Sequence, residues 1–404
     1  MRVNKRFSFV IPTYQNKILV RNTLETLNRQ EGFSPKDYEV IVVDDGSNDG
    51  TGEALESMGK NFEFKYIYLE RCPESTRARA RNAGIKAAQG DFLVFIDSDM
   101  LLKYDYLKEL DKYFKYDENI VVIGNRINLT ENISYEEILC DNYYENPKFK
   151  MDNYSKLEAR HLNYQVFSYN AQSQINPWLK VYSCNMAVPK RILDKVGGFD
   201  ENFKGWGLED VELGYRLYKN GAKIVISNKI EAFHQKHEKG GDLKISKDRF
   251  KEVDRNSYYF IRRHPEALGF PEPVIIKFLR GQVMPNFSAV KGIRKKVVID
   301  FDNEEELENV KERITGLSKQ KSLRIIVRDH IETTDLDIWI QLLGTQNSTP
   351  LYFPLSKLQE FTGIFGKIGG IGVSAVFVKM NFYSYLVKLY SLVIKIKKAT
   401  IPME

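Results

Sequence analysis

STRARARNAGIKAAQGDFLVFIDSD, residues 75–99, holds the reading on which the fold turns. Ser75 to Gln89 has helical composition, and FLVFI is an unbroken apolar run of strand length that ends on Asp97, Ser98 and Asp99. A run apolar at every position, rather than at alternate ones, belongs to a strand buried on both faces. Working outward, the same unit recurs. FSFVIP (7–12) precedes a helix over Lys17 to Gln30. YEVIVVDD (38–45) leads through a Gly, Ser, Asn and Asp turn into a helix over Thr51 to Gly59, and FKYIYLE (64–70) leads back to the Ser75 helix. The expectation is an α/β fold, a doubly wound, Rossmann-like and mostly parallel sheet with helices on both faces.

Farther along, residues 100–180 read as irregular and rich in Tyr and Asn, and the stretch 141–170 is the candidate for a lid or acceptor-facing loop, with Tyr143 and Tyr144 its test positions. Order returns from Val181 to Ser227 as strand, helix, Gly-rich loop, helix and strand, and a further helix is expected near 246–264. Proline and glycine thin the pattern around 270–295. After that KKVVIDFD, a helix to Ile314 and SLRIIVRD form a second βαβ-like unit. The expected division is a domain at 1–290 and an accessory module at 291–404, α/β or helical. A polar stripe of Ser384, Lys388, Ser391, Lys395 and Lys398 closes the chain at helical spacing.

The 404 residues are 43% hydrophobic, enough for a large core, and the formal charge of +6 arises from 60 basic against 54 acidic residues. No basic block accompanies that excess, so nucleic acid is not an expected partner. Cys72, Cys140 and Cys184 form neither a CxxC pair nor a disulfide framework, and no leader or long apolar span is visible. The expected location is the cytoplasm, with peripheral contact on the inner face of the membrane, or a homodimer, through the C-terminal module.

In wound sheets, ligands sit beyond the carboxyl ends of the strands. Those ends carry Pro12, Thr13 and Tyr14, then Asp44 and Asp45, then Asp97, Ser98 and Asp99. Two carboxylates two residues apart on extended chain face one way, and a turn can aim them at a hard divalent cation such as Mn2+ or Mg2+. Alone, the same residues also make an ordinary solvated turn. Asp44-Asp45-Gly46 is by itself more simply an Asx-type turn. In FKGWGLEDVELGYRL, Trp206 stands between glycines three residues before Glu209, and Glu209 and Asp210 enter a helix. An acid there can merely complement the helix dipole, or it can take a hydroxyl proton beside an aromatic floor for a sugar. His234 and His237 read as a pair at helical spacing; without a sulfur or third nitrogen ligand nearby, zinc is disfavoured and one histidine in an oxygen-rich metal site fits better.

Taken in order, FSFVIPTYQN, VIVVDDGSNDGT, ARARNAGIKAAQGDFLVFIDSD and GGFDENFKGWGLEDVELGYRL resemble a family 2 glycosyltransferase with the GT-A fold, over about residues 7–240. The GWGLED region is similar to galactosyl- and N-acetylgalactosaminyltransferases and to chondroitin-type polymerases. That resemblance implies inverting transfer from a UDP-sugar to a glycan or peptide acceptor with a divalent metal. It puts Pro12, Thr13, Tyr14, Asp44 and Asp45 on the donor, chiefly its base, and Arg81 near the diphosphate. Asp97, Ser98 and Asp99 would face ribose, diphosphate and metal, with His234 the late metal ligand. Asp210 would be the general base, Glu209 an acceptor contact, and Trp206 an acceptor platform. The QxxRW motif and membrane spans of processive synthases are not visible. Two other readings compete: a nucleotidyltransferase, which lacks its Gly-rich triphosphate loop here, and a non-catalytic nucleotide-sugar-binding module.

Overall fold

A computed structural model of the chain describes residues 5–149, 171, 176–237, 247–267, 295–320, 323–331, 333–343 and 348–354. The first part follows the repeat read above: β1 (Phe7–Thr13), α1 (Lys17–Leu27), β2 (Tyr38–Asp44), α2 (Thr51–Ser57), β3 (Glu63–Tyr68), α3 (Arg77–Ala87) and β4 (Phe92–Ile96). Helix α3 starts where its sequence says it should, because the Thr76 side chain accepts from Arg79 N at 3.1 Å.

Next come β5 (Met100–Leu102), α4 (Tyr106–Tyr116), β6 (Ile120–Asn128) and α5 (Tyr135–Leu139), then β7 (Asn185–Pro189), α6 (Lys190–Val196), α7 (Glu209–Lys219), β8 (Lys223–His234) and α8 (Lys247–Arg263). The expectation of irregular chain from residue 100 is therefore corrected over 100–128. The stripe of α4 is largely aromatic, with Tyr106, Leu107, Leu110, Tyr113 and Phe114 all buried, and so escapes a search for aliphatic periodicity.

The main sheet runs β3-β2-β1-β4-β7-β6-β8-β5. Strands β1 to β4 are mutually parallel, while β7 opposes both β4 and β6, and β5 opposes β8. The sheet is mixed, α/β in class, and arranged as expected of a GT-A domain. Alternate side chains of each central strand feed two cores. Val10, Ile41, Leu93 and Phe95 pack toward α3, α6 and α7, whereas Phe9, Val40, Val42 and Val94 pack toward α1 and α4. Burial on both faces explains the unbroken apolar runs.

The later elements are β9 (Lys295–Phe301), α9 (Leu307–Ser318), β10 (Leu323–Asp329), α10 (Thr334–Leu342) and β11 (Ser348–Pro354). They form a separate parallel sheet of order β11-β10-β9 with its own core. Helix α10 belongs to both parts: Leu336 and Ile340 enter the small core, and Ile338 enters the main one. The Gln341 amide accepts from Ile226 N and donates to Ile226 O, both at 2.8 Å. It thereby serves as a one-residue strand on the open edge of β8.

Tyr143 is buried at 3% exposure, donates to Leu102 O at 2.5 Å and packs edge-on against Tyr104 and Phe149. The lid assignment is corrected at this position: the ring is core, drawn in because its hydroxyl has a buried carbonyl to satisfy. Residues 150–170 and the polar stripe from Ser384 lie outside the described residues. Among the described residues no helix is long and apolar enough to cross a membrane, and Cys72, Cys140 and Cys184 form no disulfide.

Candidate active site

The carboxyl ends of β1, β2 and β4 and the loop before α7 converge on one cleft of about 470 Å3. Pro12, Thr13 and Tyr14 line it with Asp45, Asp97, Ser98, Asp99 and Trp206. The chain turns from β1 through Gln15, whose φ of 51 is left-handed, and Gln15 N donates to Ser47 Oγ at 2.8 Å. Tyr14 is 46% exposed and stacks on the Arg71 guanidinium at 4.1 Å. Arg71 also pairs with Asp45, whose other oxygen accepts from Ser75 Oγ at 2.9 Å and from Arg79 at 3.3 Å. An aromatic face, a carboxylate and a guanidinium thus share one wall, a combination suited to a heteroaromatic base.

Asp44, one residue earlier, goes elsewhere. It is fully buried and accepts from Ser47 N at 2.8 Å and from the Tyr66 hydroxyl at 2.7 Å. Its expected donor contact is therefore corrected. On a strand end adjacent residues point oppositely, so only Asp45 reaches the cleft.

Arg81 also needs correction. At 2% exposure it spans Asp97 Oδ1 at 3.1 Å and Glu209 Oε1 at 3.2 Å, so its charge is committed to two carboxylates instead of lying open to a diphosphate. It ties the turn after β4 to the start of α7. Asp210 follows Glu209 and is half-buried, its carboxylate accepting from Val211 N at 2.8 Å and Ser183 N at 3.4 Å. Burial, then repulsion from Glu209, push its carboxyl up to about 7 against the pull of Arg81. A carboxylate that binds a proton near neutrality is suited to take one from a hydroxyl.

Asp99 gathers the histidines. His237 Nε2 lies 3.0 Å and His234 Nε2 3.3 Å from Asp99 Oδ2, and the three residues can offer ligand atoms within 4.8 Å of one another. Asp99 Oδ1 is buried with no partner. Burial opposes ionisation of Asp99, but bonds and charge from both histidines outweigh it and hold the carboxyl below its usual range. An orphaned buried oxygen beside two imidazoles and a carboxylate fits a divalent cation. The two histidines do not share a helix: His234 ends β8, and His237 follows in irregular chain. The intervening Gln235 fixes that end, its backbone N donating to Asp99 O at 2.9 Å and its side chain bridging Asn22 and Leu19 O on α1.

Arg71, Arg79 and Glu252 are the residues about the cleft that motif reading missed, and His237, read there only as the neighbour of His234, joins Asp99 as closely as His234 does. Arg71 stands just past a strand end, the position already searched on the neighbouring strands, and could have been found there. Glu252 comes from α8 and carries no local signal.

The α/β sheet thus brings an aromatic, carboxylate and guanidinium wall and a cation-fitting triad to the carboxyl ends of its strands. Comparison with known proteins adds to this. Residues 8–175 match the glycosyl transferase family 2 model, and residues 165–239 match the model described as the N-terminal domain of galactosyltransferase. Over residues 8–239 the chain is thus similar to family 2 glycosyltransferases and, in the later part, to galactosyltransferases. Validoxylamine A glucosyltransferase of Streptomyces hygroscopicus subsp. limoneus is 31% identical over 65% of this chain and 57% of its own length. Chondroitin synthase of Pasteurella multocida (strain Pm70) is 33% identical over 58% of this chain and 25% of its own. The chain thus spans less than two thirds of these relatives. Among solved structures, S. aureus TarS 1-349 in complex with UDP-GlcNAc aligns at TM-score 0.46 and 18% identity, over 78% of this chain and 80% of that one.

Proposed function

We propose that this protein is an inverting glycosyltransferase that moves a hexosyl or N-acetylhexosaminyl group from a UDP-sugar to a glycan or peptide acceptor. The observation that carries the reading is the cleft lined by Tyr14, Asp45, Asp97, Asp99, Trp206 and His237, with Asp99 gathering His234 and His237 and Arg81 tying Asp97 to Glu209, the neighbour of Asp210.

Tyr14, Asp45 and Arg71 hold the base of the nucleotide. Asp99, His234 and His237, with Asp97, would hold Mn2+ or Mg2+, and the ion would supply positive charge to offset that of a diphosphate. Arg81 keeps Asp97 and Glu209 in place and offsets their mutual repulsion. Trp206 offers an apolar face to the C–H groups of the acceptor sugar or side chain, and Glu209 orients an acceptor hydroxyl. Asp210 removes the hydroxyl proton as that oxygen attacks the anomeric carbon from the face opposite the diphosphate, so one carboxylate suffices and configuration inverts. Because Asp210 must be ionised, kcat/KM for the acceptor should rise with pH through about 7 and level off above it.

The test is a panel of nucleotide sugars with Mn2+, scored for nucleoside diphosphate release with and without chelator. Release from UDP-sugars that chelation stops supports the reading. Release of pyrophosphate, the product of nucleotidyl transfer, would contradict it.

A further inference from the structure

Helix α8 begins at Lys247, beyond the end of both matched regions at residue 239. One of its faces lies against the loop Lys204–Leu208, which delivers Trp206 and then Glu209 and Asp210. That loop has an uncommon backbone: Gly205, Gly207 and Leu208 have φ of 73, 95 and 76. Glycine takes such values freely, whereas the left-handed region crowds the Cβ of a leucine against its own carbonyl. Helix α7 starts directly from that leucine, with no side-chain cap. A conformation of this kind persists only where its surroundings over-determine it.

The surroundings are two side chains one turn apart on α8. Asn256 is buried at 2% exposure, and its amide nitrogen lies 3.1 Å from Lys204 O, 3.4 Å from Trp206 O and 2.8 Å from Gly207 O. Glu252 accepts from Trp206 N at 3.0 Å. A Cβ on Gly205 would meet the Glu252 carboxylate at 2.6 Å and displace it, and the φ of +73 there already disfavours a side chain. Arg255 donates to Lys204 O as well. The helix is itself fixed, since His264 Nε2 lies 2.9 Å from Glu212 of α7 and the Tyr259 hydroxyl donates to Asp200 at 2.9 Å.

The geometry points to Asn256 and Glu252 as positioning residues that hold the Trp206 loop and, through it, the direction in which Asp210 enters the cleft. Between them they satisfy backbone groups that neither helix nor strand can pair in this loop. Neither residue needs to touch the reacting atoms. The role rests on the transferase reading above only for its effect on catalysis; its effect on the loop stands independently.

The experiment compares Asn256→Ala, Glu252→Ala and Glu252→Gln in the full chain with the wild type. It reads acceptor kinetics, UDP affinity with Mn2+ by calorimetry, and hydrogen exchange of the 204–208 amides. Both alanine variants should lose about 10- to 100-fold in kcat/KM for the acceptor while UDP affinity stays within about two-fold, since misplacement alone costs that much. Amide exchange at Trp206 should accelerate in both. Glu252→Gln keeps an oxygen for Trp206 N and should restore acceptor kinetics and protection together. The inference is overturned by wild-type acceptor kinetics with unchanged exchange, by UDP affinity falling in step with transfer, or by a glutamine variant as impaired as the alanine one, which would mean that the Glu252 charge acts on substrate directly. If Asn256→Ala does not fold, the Glu252 pair carries the comparison. Should the wild type neither bind UDP nor transfer, the transferase reading fails, and the exchange measurement still decides the clamp.

Discussion

The two sides of the cleft are built by different means. On the β1, β2 and β4 side, the groups assigned to the donor stand on turns directly after buried strands, such as the local Asp44–Ser47 turn, and bonds of Gln15 to Ser47 and of Ser75 to Asp45 then join neighbouring turns. On the other side, His234 and His237 depend on β8 reaching β5, and Asp210 depends on a left-handed loop held by α8. Local turns leave a trace in sequence because the residues that cause them are neighbours. A position held from afar leaves none.

Arg81 crosses between the sides, and its removal should have the largest effect. Arg81→Met leaves Asp97 and Glu209 without their shared cation, and a broken buried pair typically costs about 3 to 5 kcal/mol. Denaturant melts should record that loss, and adding Glu209→Gln should recover part of it; an unchanged midpoint would mean that the two sides are not coupled through this residue. Asp99→Ala should come next, weakening metal-dependent UDP binding by about 100-fold, the upper range for damage to a metal site. Unaltered metal titration would remove Asp99 from that role.

The same contrast explains what the sequence revealed. FLVFIDSD and VIVVDDGSNDGT identify strands, turns and cleft acids together, because full burial of a parallel strand forces an apolar run and its end must turn. Aromatic α4 concealed its stripe, and Tyr143 looked like loop because a tyrosine is polar in composition yet buried here with its hydroxyl satisfied. Which of Asp44 and Asp45 faces the cleft follows from strand alternation and was legible. That Arg81 would be consumed by two carboxylates was not, because Glu209 lies 128 residues away.

Smaller effects sharpen the comparison further. Burial pushes the Asp337 carboxyl on α10 up to about 7, with Gln341 donating to one oxygen at 2.9 Å and the other unpartnered. The folded chain keeps a proton there that the unfolded chain loses near 3.8, the ordinary aspartate value, so stability is greatest below that value and falls as pH rises toward 7. From pH 5.5 to 7 this amounts to about 2 kcal/mol, and Asp337→Asn should flatten the dependence in melts across that range. A wild-type slope retained in the variant would show that docking of α10 on β8 is not its source. Smallest is Asp45→Asn, which frees Arg71 and Arg79 and should weaken UDP binding by about ten-fold, the worth of one charge-assisted contact, without altering metal dependence.

The most direct measurement is made on Asp210→Asn, with UDP affinity in Mn2+ read by calorimetry and sugar transfer read in a single turnover. The account predicts transfer reduced by about 100-fold or more with UDP affinity within about two-fold of wild type, because the base acts on the acceptor and not on the donor. Transfer at the wild-type rate, or loss of UDP affinity in parallel with transfer, would contradict it.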